Sequence, residues 1–239
     1  MTDDGHGGGA RHRHVVHALG PQIVSGSLRP GEAVPTEEML VAEFGVGRSA
    51  VRDGVKVLSG KGLLESRTSA GTRVRSRNAW NLLDPDVLRW RYDPSPSPDD
   101  IRVLADLRVA LEPGAARVAA ERADAQAIRR IDEALAALYA TVEDADRFIE
   151  ADLAFHRAVF AASDNDLLLH VYEAISVALR SVRGVHTRGL EHNKETLPAH
   201  ERVAVAIRRH HVRKAEEAMR VVVEGARSDA RERTEGPPD

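Results

Sequence analysis

An aspartate and a histidine stand four residues apart in EADLAFHRAVF, residues 150–160. Four residues is about one helical turn, so Asp152 and His156 share a face. A carboxylate and an imidazole so placed can bind a metal ion, hold a polar ligand, or satisfy each other inside a core. The spacing alone favours the last. His200 shifts the balance toward a metal: it opens a later helix that can run antiparallel to the first. An Asp, His, His set inside a helical bundle suits zinc, nickel or manganese. Arg108 and Glu112 repeat the one-turn spacing earlier in the chain, and Arg180 lies in AISVALRSVRG. An arginine fork or a metal holds a carboxylate, while acids and imidazoles meet hydroxyls. Arg108, Glu112, Asp152, His156, Arg180 and His200 are therefore the expected ligand-binding residues. The expected ligand is a small carboxylate, best matched by a sugar acid such as a hexonate or uronate. The competing reading of Arg108 and Glu112 is a surface ion pair worth about 0.3 kcal/mol. His170, His192, His210 and His211 are read as surface or capping residues.

A second set of residues carries charge. Arg48, Arg52 and Lys56 fall at i, i+4 and i+8 with Ser49 beside the first, opposite an apolar stripe of Val51, Val55 and Leu58. Residues 44–77 hold eight basic and two acidic side chains on a chain of net charge −3. A concentrated positive stretch on an acidic protein points to a polyanion-binding module. Such a row reaches phosphates and, through arginine forks, guanine O6 and N7 in a major groove. Arg67, Arg73, Arg75 and Arg77 continue the charge.

The elements that must position this row can be read in order. Val15, Leu19 and Ile23 recur at helical spacing over residues 11–25, after a Gly-rich stretch, 1–10, expected to be disordered. A Pro-Gly turn follows, then Thr36 as N-cap of a short helix over 37–44. GVG at 45–47 breaks that helix, a second spans about 48–59, and 62–75 reads as a two-stranded hairpin. Helix, helix, tight turn, helix, hairpin is the order of a winged helix-turn-helix.

The stretch VPTEEMLVAEFGVGRSAVRDGVKVLSGKGLLESRTSAGTRV resembles the DNA-binding domain of the GntR family of bacterial transcription regulators. The resemblance implies DNA contacts from Gly47, Arg48, Ser49 and Arg52 and from a glycine-containing wing tip. With Lys56 and the wing residues Arg67, Ser69, Gly71 and Arg73, these make up the expected DNA-binding set. Two positions depart from the family pattern. Glu38 stands where an arginine contacts DNA, and Ser69 replaces the first wing glycine. Gly54, where the family has alanine, should cost the helix about 1 kcal/mol.

Residues 78–100 hold both tryptophans and then three prolines, and read as a linker with a docking segment, WNLLDPDVLRW, that needs a surface to bury against. That segment resembles the one in galactonate-responsive members of the family's FadR-like branch. From 101 to about 232 the periodicity is helical throughout and predicts an all-α bundle, with 233–239 as a disordered tail. LRVALEPGAARVAAERA forms one helix or two, with Pro113 near the junction. This segment, EADLAFHRAVFAASDNDLL and AHERVAVAIRR resemble the FCD ligand-binding domain of the same branch. Metal-binding members carry an aspartate, a histidine, a third ligand at the position of His200 and a fourth histidine where this chain has Val222. A valine offers no lone pair, so the resemblance implies an open three-ligand site that water or an effector carboxylate completes.

The chain has no cysteine, which removes disulfides, thiolate zinc sites and cysteine nucleophiles. It lacks an apolar run of roughly 20 residues and a signal-peptide core, so the expectation is a cytoplasmic protein with no membrane partner. The expected function is a ligand-responsive transcription regulator, a repressor, acting as a homodimer on an inverted-repeat operator in double-stranded DNA. Two alternatives stand beside it. One is a metal-dependent hydrolase using Asp152, His156 and His200, which lacks HExxH, GxSxG and P-loop motifs; the other is a constitutive DNA-binding protein with no effector.

Overall fold

The computed structural model describes residues 7–67, 71–93, 96–186 and 190–235. The chain divides into two compact units, Met1–Arg91 and Tyr92–Asp239. The first contains α1 (Gly7–Val24), α2 (Glu37–Phe44), α3 (Arg48–Gly60), a hairpin of β1 (Leu64–Arg67) and β2 (Gly71–Val74), and α4 (Pro85–Tyr92), which ends at the division.

Local chemistry sets these elements. Thr36 caps α2 by accepting from the Met39 amide, and Gly45 ends it in the left-handed region at φ 62°. The strands pair antiparallel from Leu64 opposite Val74 to Arg67 opposite Gly71. Ala33 bridges to Arg73, which ties the turn after α1 to the hairpin. Val15, Leu19, Ile23, Leu40, Val51, Leu58, Leu63 and Val74 share one buried cluster.

Two close approaches depend on glycine. A Cβ on Gly54 would lie 2.8 Å from Val15 Cβ and Cγ1, so α1 and α3 cross where α3 has no side chain. That contact supplies the reason for the helix-weakening residue. On Gly20 a Cβ would lie 2.3 Å from the Trp90 ring, because the indole rests directly on α1.

The expected docking segment packs on the first unit. Trp80 and Val87 join its buried cluster, and the Trp80 indole N–H donates to the Arg75 carbonyl at 3.0 Å. Lys61 Nζ donates to Asp84 at 2.8 Å and pairs with Asp86 at 2.9 Å. Within 78–100, residues 78–91 fall in the first unit and Pro98 begins the next helix. The helices also reach into both stretches expected to be disordered, since α1 starts at Gly7 and the last helix runs to Glu235. Adding a turn to an existing helix costs far less than nucleating one.

The second unit is six helices: α5 (Pro98–Arg122), α6 (Ala125–Ala140), α7 (Ala145–Ala162), α8 (Asp166–His186), α9 (Leu190–Arg208) and α10 (Val212–Glu235). A Ser97/Asp100 capping box opens α5, which continues unbroken through Pro113. Asp124 and Asp144 cap α6 and α7. The core is built from small residues on α5 (Ala116, Ala119, Ala120) facing larger ones on the others (Leu138, Phe155, Val159, Ile207, Met219). Tyr172 stacks on Phe160 at 4.7 Å and donates to the Leu153 carbonyl, which fixes α8 against α7. No helix among the described residues is long and apolar enough to cross a membrane.

Candidate functional site

Two surfaces carry the chemistry, one in each unit. In the first, α3 buries Ala50, Val51, Gly54 and Leu58 and exposes Arg48, Ser49, Arg52 and Lys56 on the other side. Gly47 is its exposed N-cap residue. Lys56 lies 3.3 Å from Asp53. Gly71 begins β2 with φ 71°, as a tight hairpin turn requires. Arg73 donates to the Gly31 carbonyl at 2.9 Å, so this wing arginine also braces the turn after α1. Ser69 and the side chain of Arg67 lie outside the described residues. The first turn of α2 supplies what the sequence reading missed: Glu37 accepts from Arg52 Nε at 2.9 and 3.1 Å, and Glu38 lies 3.7 Å from Arg48.

The second surface is internal. Arg108 and Glu112 on α5, Asp152 and His156 on α7, and His200 on α9 are each 5 % exposed or less. Arg108 and Glu112 are therefore a core pair, and the surface alternative is wrong. Arg108 Nε donates to Glu112 Oε1 at 2.6 Å, and the other carboxylate oxygen lies 2.6 Å from His156 Nδ1. His156 Nε2 is 3.4 Å from Arg108 Nη2 and 3.7 Å from Asp152 Oδ2. His200 Nε2 is 3.1 Å from Asp152 Oδ1, and its Nδ1 is 2.9 Å from the Thr196 carbonyl. Phe155 contacts both imidazoles edge-on and walls the group on one side.

The electrostatics follow from this packing. Burial alone would push the Glu112 carboxyl up, but the Arg108 guanidinium and His156 outweigh it and hold Glu112 far below the usual carboxylate range. Burial likewise opposes the Arg108 charge, and Glu112 more than restores it. The Tyr172 hydroxyl is pushed up by burial and by Glu112.

Arg180 is not drawn into this group. Its guanidinium forks onto Glu150 of α7 at 2.6 and 2.9 Å with half its side chain exposed. That hydrogen bond holds Glu150 below the usual carboxylate range.

Asp152, His156 and His200 each bring one ligand atom within 4.8 Å of the others. A carbonyl acceptor on Nδ1 makes that nitrogen of His200 the N–H donor, which leaves the Nε2 lone pair facing a carboxylate oxygen. Two electron-rich atoms at that distance need a proton or a cation between them, so the donor set fits a divalent metal. Val222 on α10 packs against the hydrophobic core and supplies no ligand. His210 serves structure: its Nδ1 lies 2.9 Å from the Ala120 carbonyl near the end of α5.

Comparison with known proteins matches residues 11–74 to the bacterial regulatory proteins of the gntR family and residues 103–225 to the FCD domain. The chain belongs to the GntR family. It is similar to the galactonate operon transcriptional repressor of Escherichia coli, 36 % identical over 87 % of this chain and 92 % of that protein. It is also similar to the HTH-type transcriptional regulator LutR of Bacillus subtilis, 30 % identical over 82 % and 90 %. Among solved structures, Streptococcus agalactiae GntR shares the fold at a TM-score of 0.50 and 23 % identity, over 91 % of this chain and 99 % of that one.

GntR regulators with an FCD domain are DNA-binding transcription factors, not enzymes, so the hydrolase alternative falls. The α3 surface lies in the GntR part and the buried cluster in the FCD part.

Proposed function

We propose that this GntR regulator is a repressor whose operator affinity is set by a small carboxylate of the sugar-acid class, taken up at the buried α5/α7/α9 cluster. The observation that carries this reading is the burial of five ionisable side chains in one group. Packed apolar residues would stabilise a bundle as well or better, so a core that keeps two acids, two imidazoles and a guanidinium suits recognition. The name of the Escherichia coli relative, a galactonate operon repressor, supports a hexonate.

Asp152, His156 and His200 would hold a divalent metal, zinc, nickel or manganese. Bound there, the metal would offer an open position to the acid's carboxylate. Arg108 is the second anion-binding group, and Glu112 holds its fork in place. Gly47, Arg48, Ser49, Arg52 and Lys56, with the wing residues Arg67, Ser69, Gly71 and Arg73, form the surface for DNA. Two half-sites of an inverted repeat need two copies of that surface, which a homodimer provides. Effector binding then favours one arrangement of the paired units. A coupling of about 1–3 kcal/mol between the sites suffices for a switch.

Thermal unfolding of the purified protein tests the site. A panel of sugar acids and simple carboxylates is run with zinc, nickel or manganese and with chelator. A rise in Tm that needs both acid and metal, and that disappears in Asp152→Asn, is expected. A rise without metal would make the same side chains direct ligand contacts. No rise with any combination would return them to a structural role.

A further inference from the structure

The two arginines at the centre of the α3 surface each meet a carboxylate from the first turn of α2. Arg52 Nε donates to both oxygens of Glu37, at 3.1 and 2.9 Å. Arg48 Nη2 lies 3.7 Å from Glu38. All four side chains are 40 to 66 % exposed, and exposed ion pairs add little stability. Two carboxylates beside a surface meant for phosphates also weaken its long-range attraction to DNA. Neither stability nor affinity accounts for them.

Geometry supplies the reason. Glu37 engages Arg52 through Nε, and no hydrogen bond among the described residues uses its two terminal nitrogens. Those nitrogens are the parallel donors that match guanine O6 and N7. An unrestrained arginine on such a surface swings between a phosphate and a base edge. A carboxylate at Nε repels the phosphate and keeps the fork turned outward. Glu38 occupies the position where the family resemblance implies a DNA-contacting arginine, and here it faces Arg48 instead.

We propose that Glu37 and Glu38 are specificity-determining positioning residues: Glu37 holds Arg52 by Nε and aims its fork at a base, while Glu38, set against Arg48 Nη2, competes with phosphate for that arginine and suppresses sequence-independent binding. The proposal rests on α3 being the recognition helix. It makes this chain a selective binder of G·C-containing sites with weak affinity for unrelated DNA.

The test uses the full-length protein. Binding sites are selected from a random duplex library, and affinities are then measured on the selected site, its single-base variants and an unrelated duplex across a salt series. Arg48→Ala, Arg52→Ala, Glu37→Gln, Glu38→Gln and Glu38→Arg are compared with wild type, with unfolding curves to confirm folding. Glu37→Gln should lose roughly tenfold in discrimination at the G·C pair that Arg52→Ala ceases to read. Glu38→Gln should bind unrelated DNA more tightly, and Glu38→Arg should do so with a salt slope steeper by about one. Glutamate variants that keep wild-type base preference and unrelated-DNA affinity, while the arginine variants lose the site, would overturn the proposal and leave the recognition helix standing. Arginine variants that keep the site would overturn both.

Discussion

Glu112 meets the Arg108 guanidinium and the His156 imidazole and has no access to water. Glu112→Ala strands the Arg108 guanidinium in the core and should cost roughly 3–5 kcal/mol, read by denaturant unfolding. The double replacement Arg108→Met, Glu112→Leu should unfold within about 1 kcal/mol of wild type while losing effector response. That contrast separates the pair's part in recognition from its part in stability. The one-turn spacings at Arg108/Glu112 and Asp152/His156 were legible in the sequence because helical periodicity fixes which side chains share a face. Burial was not legible: the same Arg/Glu spacing describes the surface pair Arg117/Glu121 equally well. Arg180 shows the opposite failure, since its attraction to Glu150 depends on how α8 lies against α7.

At the scale of elements, the positions most sensitive to change are crossings. Gly54→Ala improves local helix propensity by about 1 kcal/mol, yet its new methyl would meet Val15 Cβ at 2.8 Å. A net loss of about 1–3 kcal/mol is expected in thermal or denaturant unfolding, because overpacking at a close crossing outweighs propensity. Gly20→Ala should behave likewise against Trp90. The clamp of Lys61 on Asp84 and Asp86 gives a pH signature. Burial by itself lowers the lysine's affinity for its proton, and the two carboxylates more than reverse this, so its folded value stands above the ordinary 10.5. A raised folded pKa gives stability that is complete below the unfolded value and is lost as pH climbs through the folded one. The cost of Lys61→Met, about 1–2 kcal/mol for charge-assisted bonds, should therefore stay level from about pH 7 to 9 and shrink only in stronger alkali. Helices, the tight turn and the hairpin were legible because their signals are local. The reason for Gly54 was not, since it lies in α1, and the surface under WNLLDPDVLRW could be named only once both elements were placed.

At the scale of the whole molecule, the division into a GntR part and an FCD part followed from charge asymmetry, element order and motif resemblance. The chain's own division, at Arg91/Tyr92, did not, because the prolines that suggested a linker begin just beyond it. Arg48→Ala and Arg52→Ala should each weaken binding to a selected operator by tenfold or more, on the order of a lost bidentate base contact, with unfolding unchanged. The central claim is that the buried cluster governs operator affinity. Fluorescence anisotropy of a selected operator duplex, titrated with protein in the presence and absence of the metal and the acid that raise Tm, tests it most directly. Wild type should change its operator affinity by at least about fivefold, and Asp152→Asn should not respond. An acid that binds the second unit by calorimetry and leaves operator affinity unchanged would contradict it.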